Sequence, residues 1–271
     1  MTRFLKKMRF SLARRFTQLV LLVILFGGNA YGWNWLKGNL SGSKFLDRIP
    51  FTDPFALLQI FATGTSVRRE ALTGALIIIL FFGIIGGRSF CSWVCPMNVI
   101  TDLANWLRKK FGFEKTVTHM NIARSTRYWM LSLSLVVSAI SGVAAFEWIS
   151  PVSMLHRGIV YGMGLGWVVM MSVFLFDLFV VNNGFCGHVC PLGGFYSVVS
   201  RYSLIRVRYG EGKCTRCMKC VDICPESQVL NMVGKRSGMV VSGECTNCGR
   251  CVEVCEDSAM AFGIRYLSRE G

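Results

Sequence analysis

The hydrophobic and polar positions divide the chain into a long apolar part and a short polar one. Four runs carry almost no charge: Phe16–Leu36, Ala71–Gly87, Tyr128–Phe146 and Gly158–Asn183. Each has roughly the 17–25 residues that a helix needs to cross ~30 Å of hydrocarbon. Four buried helices of a soluble protein would need more polar covering sequence than these 271 residues provide. The pattern therefore predicts an α-helical membrane protein with four transmembrane helices, followed by a small polar domain.

Charge supports this division and predicts an orientation. The net charge of +15 lies within residues 1–208, since residues 209–271 hold 8 basic and 8 acidic side chains. Sixteen Lys and Arg flank the spans on one side and six on the other, and basic flanks mark the cytoplasmic face. We therefore expect a multi-pass protein with both termini in the cytoplasm and in contact with membrane lipid. The basic excess indicates orientation, and no nucleic-acid partner is expected.

Two halves of the apolar part resemble each other. Phe90–Pro96 and Phe185–Pro191 share five of seven residues, lie 95 residues apart, and each follows a predicted span. The simplest account is a duplicated two-helix unit. The predicted domains are residues 1–208, with four spans and two Cys-x3-Cys-Pro motifs, and residues 209–271.

The polar tail carries the most specific signal, two runs of four cysteines. Cys214-x2-Cys217-x2-Cys220-x3-Cys224-Pro225 precedes Cys245-x2-Cys248-x2-Cys251-x3-Cys255. This is the spacing of bacterial two-cluster ferredoxins, in which three thiolates hold one [4Fe–4S] cluster and the fourth serves the other. We predict two clusters, with the following ligand sets: Cys214, Cys217, Cys220 and Cys255 for the first; Cys245, Cys248, Cys251 and Cys224 for the second. A four-cysteine zinc site is the alternative, but such sites are built from paired Cys-x2-Cys motifs, which lack the third and fourth cysteine found in each run here.

The tail is expected to fold as a small α+β domain. Short strands are predicted at Val229–Val233 and Met239–Ser242, and short helices at Asp222–Gln228 and Val252–Ala259. Five apolar side chains are expected to pack around the sulfur atoms: Met218, Val221, Ile223, Val254 and Phe262.

The four remaining cysteines lie in the repeated motifs. If each span continues as helix, Cys91 and Cys95 fall on one face, as do Cys186 and Cys190. Together they supply four thiolates, enough for a third iron–sulfur cluster. Two alternatives stay open: another metal or redox role, and ordinary buried thiols at a helix bend.

Charged and titratable groups within or beside the spans are candidates for function. Asp177 lies in the fourth predicted span, Glu147 ends the third, and His156 follows in the outer loop. Quinol oxidation needs proton acceptors beside the headgroup, and carboxylate or imidazole groups serve this purpose. Interfacial solvation of Glu147 and His156, and packing of Asp177 against Asn182 or Arg201, are the simpler interpretations.

With these motifs in this order, the chain resembles the NapH family of ferredoxin-type membrane proteins. The resemblance covers the basic N-terminus, the four spans, both Cys-x3-Cys-Pro motifs and both ferredoxin motifs. It implies a component of a quinol dehydrogenase in the bacterial inner membrane. The expected partners are quinol, an iron–sulfur protein and a membrane-bound multihaem cytochrome. The chain is also similar to relatives in methylamine utilisation, nitrous-oxide reduction and cytochrome oxidase assembly.

The expected function is electron transfer from quinol toward a periplasmic respiratory reductase of the nitrate reductase type. A maturation factor that acts on a periplasmic metalloenzyme through the thiols at the membrane boundary is the first rival. A membrane anchor, whose clusters only stabilise the tail, is the second.

Overall fold

The fold is taken from a computed structural model that describes residues 8–33, 35–112, 123–162, 164 and 166–265. The chain forms two compact units. The first comprises residues up to Gln18, Leu80–Val94 and the chain from Tyr196 onward, and the second comprises Leu19–Ile79 and Cys95–Phe195.

The apolar part consists of helices and one small sheet. Its helices are α1 (Arg9–Ala30), α2 (Pro54–Ala62), α3 (Arg69–Ile85), α4 (Ser89–Trp93), α5 (Met97–Lys110), α6 (Thr126–Ser141), α7 (Ala145–Ile149), α8 (Pro151–Tyr161), α9 (Gly166–Phe179) and α10 (Pro191–Ser200), with a π-helical turn at Phe185–Val189. Its antiparallel sheet is formed by β1 (Leu36–Gly38), β2 (Gly42–Phe45) and β3 (Ile49–Thr52), in that order.

Each of the four predicted spans contains a helix, but α6 and α9, with 16 and 14 residues, are shorter than their apolar runs. Of the helices among the described residues, α1 is long and apolar enough to cross a membrane, and α9 is apolar but shorter. Helix α6 ends at Gly142, whose φ of 70° is left-handed, and Gly162, with a φ of 99°, separates α8 from α9. Glycine adopts such φ values without steric cost, so both residues interrupt runs that hydropathy alone treats as continuous. The arrangement with four spans stays a prediction.

The tail folds around a second antiparallel sheet of order β5-β4-β6, made of β4 (Ile205–Tyr209), β5 (Gly238–Met239) and β6 (Met260–Ile264). Two short helices, α11 (Lys219–Asp222) and α12 (Arg250–Val254), carry the third cysteine of each run. The predicted boundary between residues 208 and 209 lies within β4, and this division into domains stays a prediction.

Several predicted elements of the tail were wrong. Val229–Val233 forms a 3₁₀ turn (Ser227–Leu230) and further turns instead of a strand. Both helices begin earlier than predicted, directly after Met218 and Gly249, which have left-handed φ values of 59° and 76°. Pro225 follows the end of α11, because a proline disfavours helical geometry at the residue before it.

The core of the tail contains cysteines among its apolar side chains. Val207, Tyr209, Val240 and Met260 are at most 3% exposed and pack with Cys220, Cys245 and Cys251. As predicted, Val221, Val254 and Phe262 pack against this core. The same prediction was wrong for Met218 and Ile223, which are 43% and 38% exposed.

Candidate metal centre

Four cysteines of the tail line one cavity. They are Cys224 from the first run and Cys245, Cys248 and Cys251 from the second, and the same cavity is lined by Glu226 and Val207. This is the set predicted for the second cluster, including the fourth cysteine contributed by the other run. Soft thiolates are the ligands that iron–sulfur clusters require, so these residues fit such a group.

The other predicted set is partly gathered as well. Burial raises the pKa of the Cys220 thiol, and the neighbouring Cys255 and Cys214 thiols raise it further. Cys220 is buried, whereas Cys217 is exposed. The first set therefore lies nearer the protein surface than the second. Among the described residues, no three His, Cys, Asp or Glu side chains converge to hold a single metal ion.

The pKa values of thiols in the second set reflect their burial. Burial raises the pKa of the Cys245 thiol to about 11, while Arg206 and Arg88 favour its thiolate. Burial also raises the pKa of Cys251, and nearby thiols, Cys224 among them, add to this effect. Metal binding must therefore displace protons that these thiols hold firmly without it.

The first Cys-x3-Cys-Pro motif is hydrogen-bonded to the loop that contains Cys245 and Cys248. The Ser92 hydroxyl donates to the Thr246 carbonyl at 2.8 Å, and the Trp93 indole donates to the Asn247 carbonyl at 3.1 Å. Cys91, half-buried, lies in α4 one residue before Ser92. Segments 154 residues apart in sequence are thus joined beside the second set of cysteines.

A buried ion pair reinforces this junction. The Arg88 guanidinium donates to the Glu226 carboxylate at 2.7 Å and to the Glu244 carbonyl at 2.8 Å. The Asn247 side-chain amide donates to the carbonyls of Ile85 and Ile205 at 2.8 and 2.9 Å.

Neither span continues as one helix through its motif, so the condition for placing both thiols of a motif on one helix face is not met. Cys91 lies in α4, and the chain leaves the helix before Cys95, which is 6% exposed. Cys186 lies in the π-helical turn and Cys190, also 6% exposed, follows it. In both motifs the proline stands where the next helix starts, a position that suits its fixed φ.

Asp177 is fully buried beside the second motif. Its carboxylate accepts the backbone N–H of Phe185 at 2.9 Å, at the start of the π-helical turn that holds Cys186. The Arg108 guanidinium donates to the Asp177 backbone carbonyl at 3.3 Å. Neither of these hydrogen bonds involves Asn182 or Arg201, and the expected packing against them stays a prediction.

Glu147 lies in a different polar group. Its carboxylate accepts the hydroxyls of Ser41 and Ser153, the latter at 2.7 Å, and Arg157 lies 3.8 Å away. The side chain of Glu147 is 17% exposed. His156 lies in α8, but its side chain is outside the described residues. Among those that are described, Glu147 and Asp177 share no hydrogen-bonding partner.

Sequence reasoning missed several residues that build these groups. Gln59 is completely buried and accepts the Phe146 N–H at 2.9 Å, next to Glu147. Arg88 and Arg206 were counted only as orientation charges, although they are 2% and 1% exposed. The one available signal for Gln59 was a polar residue within the apolar helix α2.

Comparison with protein families supports an iron–sulfur protein. The family model described as "4Fe-4S binding domain" matches residues 70–114 and 163–210, and each of these segments contains one Cys-x3-Cys-Pro motif. The model described as "4Fe-4S dicluster domain" matches residues 206–256.

Curated relatives match over most of the chain. The ferredoxin-type protein NapH of Haemophilus influenzae is 44% identical over 82% of this chain and 77% of its own length. NapH of Escherichia coli is also 44% identical, over 82% and 77%. The methylamine utilization ferredoxin-type protein MauN of Methylorubrum extorquens is 42% identical over 83% and 78%. No solved structure matches.

Proposed function

The chain belongs to the NapH/MauN family of ferredoxin-type iron–sulfur electron-transfer proteins, and from this premise we propose that it carries electrons from quinol toward a periplasmic respiratory reductase of the nitrate reductase type. In this role it is the membrane-bound component of a quinol dehydrogenase. The observation that carries the proposal is the cavity lined by Cys224 together with three cysteines of the second run.

Two [4Fe–4S] clusters are proposed for the tail, with the ligand sets given by the cysteine spacing. The cavity lined by cysteines of both runs supports the assignment of Cys224 to the second cluster, because Cys224 lines it together with cysteines of the second run. The clusters would supply one-electron transfer, and the thiolates would hold them close together.

A membrane location is proposed from the exposed apolar faces of the four long apolar helices. Leu12, Phe16, Leu19 and Val23 form an exposed stripe on α1, and each of the other three helices exposes a similar face, as at Leu76, Ile140 and Met171. Soluble proteins rarely leave such faces in water, whereas lipid suits them. Because α3, α6 and α9 are shorter than α1, a locally thinner bilayer or flanking segments must cover the rest of the apolar thickness.

The orientation is proposed from the excess of Lys and Arg on one side of the predicted spans. Trp33, Trp35, Trp148 and Trp167 are each more than half exposed and belong to the segments predicted at the outer interface, where tryptophan is enriched. We infer an inner-membrane protein with both termini in the cytoplasm.

Glu147 is the proposed proton acceptor for quinol. Oxidation of one quinol would release two electrons, taken up one at a time by the proposed clusters, and two protons, taken up by the Glu147 carboxylate and the His156 imidazole. Ser41 and Ser153 orient this carboxylate, and its partial exposure leaves it accessible to a proton donor. His156 is proposed as a second acceptor from its sequence position, and Asp177 as a positioning residue for the Cys186 motif.

A third cluster at Cys91, Cys95, Cys186 and Cys190 is proposed from the thiol count and the match of the family model to both motifs. The hydrogen bonds from Ser92 and Trp93 to the Cys245–Cys248 loop support electron exchange between the first motif and the tail. A partner iron–sulfur protein and a multihaem cytochrome complete the proposed chain.

A maturation factor is the second candidate. It is supported by the paired free thiols at the predicted membrane boundary, Cys91 with Cys95 and Cys186 with Cys190. A Cys91→Ser variant that oxidises quinol normally but leaves the served enzyme without its cofactor would support this candidate.

Iron and acid-labile sulfide per chain, measured after anaerobic purification, test the cluster content. About twelve of each, falling to about eight when Cys91, Cys95, Cys186 and Cys190 are all replaced by Ser, are expected for three clusters. About eight in both proteins would contradict the third cluster but keep the two in the tail. No iron would contradict the proposal altogether.

Anaerobic bleaching of the cluster absorbance by a reduced quinol tests the electron donor. We expect wild-type protein with its partners to bleach, and Glu147→Gln to slow bleaching about 100-fold, since general-base catalysis contributes about 10²–10⁴. The matched control is Glu70→Gln, because Glu70 is an exposed carboxylate paired with Lys44 at 3.1 Å. Complete inertness of wild type with its partners present would refute quinol as the donor.

A further inference from the structure

Three buried charged side chains surround the second set of cysteines. Arg88, Arg206 and Glu226 are 2%, 1% and 2% exposed. Glu226 lines the cavity itself, and Arg206 donates to the Ser242 carbonyl, which also accepts the backbone N–H of the lining residue Cys245. Charges this deeply buried interact strongly with their neighbours, because little water screens them.

Arg88 and Glu226 neutralise each other. Their side chains form an ion pair of 2.7 Å. The second hydrogen bond of Arg88 goes to the Glu244 carbonyl, which carries no net charge. This pair therefore adds a dipole but no net charge beside the cavity.

Arg206 is held by neutral groups. Its guanidinium donates to the carbonyls of Ser242, at 2.8 Å, and Ser200. The Ser242 carbonyl also accepts the backbone N–H of Cys245 at 3.4 Å, so one peptide group joins the guanidinium to a predicted ligand. Within the described part of the chain, no carboxylate lies within ion-pair distance of Arg206. Arginine stays protonated in proteins, so Arg206 keeps a positive charge beside the cavity, which Arg250 also lines.

This charge has a direct consequence for electron transfer. Adding one electron to a [4Fe–4S] cluster increases its negative charge, which burial opposes and a nearby cation favours. The cysteines of the second set are buried more deeply than those of the first. A buried second cluster without a neighbouring cation would therefore be the harder one to reduce.

We propose that Arg206 raises the reduction potential of the cluster held by Cys224, Cys245, Cys248 and Cys251, so that this buried cluster can accept an electron from the more exposed one. The inference rests on the proposed function, since it requires both clusters in the tail. Glu226 acts in the opposite direction as the anion that lines the same cavity. Arg206 is thus a positioned charge that tunes the electron carrier without being one of its ligands.

The experiment is an anaerobic redox titration of the full-length protein, with dithionite as the electron donor and electron paramagnetic resonance as the readout. Arg206→Gln is expected to lower the equilibrium constant for reduction of one cluster about tenfold, which corresponds to ~59 mV for one electron. The other cluster should keep its potential. Arg206→Lys, which retains the charge, should stay near wild type.

The matched control is Arg208→Gln. Arg208 lies two residues further along β4 but is exposed, so water screens its charge. Neither potential should move by as much as in Arg206→Gln. Glu226→Gln removes the anion instead and is expected to raise the potential of the same cluster, which keeps the proposal testable if Arg206→Gln does not fold.

The outcomes separate this inference from the function on which it rests. Two clusters whose potentials are unchanged in both Arg206→Gln and Glu226→Gln would refute the inference alone. An equal shift of both potentials in Arg206→Gln would also refute it, because the charge is placed beside one cavity. Wild-type protein without a cluster at the second set would refute the inference and the proposed function together.

Discussion

The indole N–H of Trp93 donates a hydrogen bond to the backbone carbonyl of Asn247 at 3.1 Å. Trp93 ends α4, which contains Cys91, and Asn247 lies between Cys245 and Cys248. The φ of Asn247 is 47°, so this loop holds a left-handed residue at the position where the indole binds. The bond therefore helps to fix the loop that carries two predicted cluster ligands.

Removing this donor should loosen that loop. We expect Trp93→Phe to cost about 1 kcal/mol, the usual net value of one hydrogen bond. Iron bound by the Cys245 run should then pass to a chelator about fivefold faster, since 1 kcal/mol is a factor of about five in an equilibrium constant. Trp106→Phe is the control, because Trp106 is 54% exposed. Equal rates of iron loss in the two variants would contradict the structural role of Trp93.

Single substitutions test whether the fourth cysteine of each run binds the cluster held by the other run. Cys224→Ser and Cys251→Ser should remove the same paramagnetic resonance signal, because both residues line one cavity. Cys255→Ser and Cys214→Ser should remove the other signal, and each variant should lose about four iron atoms per chain. Loss of one common signal in Cys224→Ser and Cys214→Ser would show that each run holds its own cluster.

The start of α1 is bound to the tail by Glu253. The Glu253 carboxylate accepts the backbone N–H groups of Phe10 and Ser11, the latter at 3.1 Å, and the Ser11 hydroxyl at 3.0 Å. The first N–H groups of a helix lack partners within it, and a carboxylate also stabilises the positive end of the helix dipole.

Glu253→Ala should therefore release the start of α1. We expect trypsin to cleave after Arg9 about fivefold faster, which corresponds to a loss of about 1 kcal/mol. Glu256→Ala is the matched control, since the Glu256 side chain is 66% exposed and pairs with Lys219 on the surface. A cleavage rate in Glu253→Ala no faster than in the control would contradict the role of this cap.

Two substitutions of Asp177 distinguish the contribution of its hydrogen bond to stability from that of its charge. Asp177→Ala leaves the partly buried Phe185 N–H without its acceptor, which costs about 1–3 kcal/mol and should lower the melting temperature by roughly 2–4 °C per kcal/mol. Asp177→Asn retains an acceptor oxygen and should lose less. Ser172→Ala in the same helix, where the side chain is exposed, serves as the control. If Asp177→Ala melts like Ser172→Ala, the cap at Phe185 contributes nothing to stability.

Cysteine spacing predicted more of this site than any other sequence feature. The distances between thiolates within one run are limited by two or three intervening residues, so the ligand type follows from local spacing, whereas the crossed pairing was predicted from the pattern of two-cluster ferredoxins. The strands were predicted less well. Strand β4 pairs with β6, which lies more than 50 residues later in the chain, and no short spacing indicates that pairing.

Hydropathy likewise placed the four apolar helices but not their ends. The mean character of a run predicts that a helix lies within it, whereas Gly142 and Gly162 end helices through their backbone conformation. The same runs gave no indication that Glu147 would meet Ser41, 106 residues earlier in the chain.

The sequence by itself determined the apolar and polar division, the cysteine motifs and the family, because each depends on residue type and on short spacings. Only the tertiary structure decided which charges are buried and what they face. Arg88 and Arg206 are both basic residues next to predicted membrane segments, yet one meets a carboxylate and the other meets only carbonyl groups among the described residues. This difference arises from contacts between segments up to 138 residues apart, and no local pattern in the chain records them.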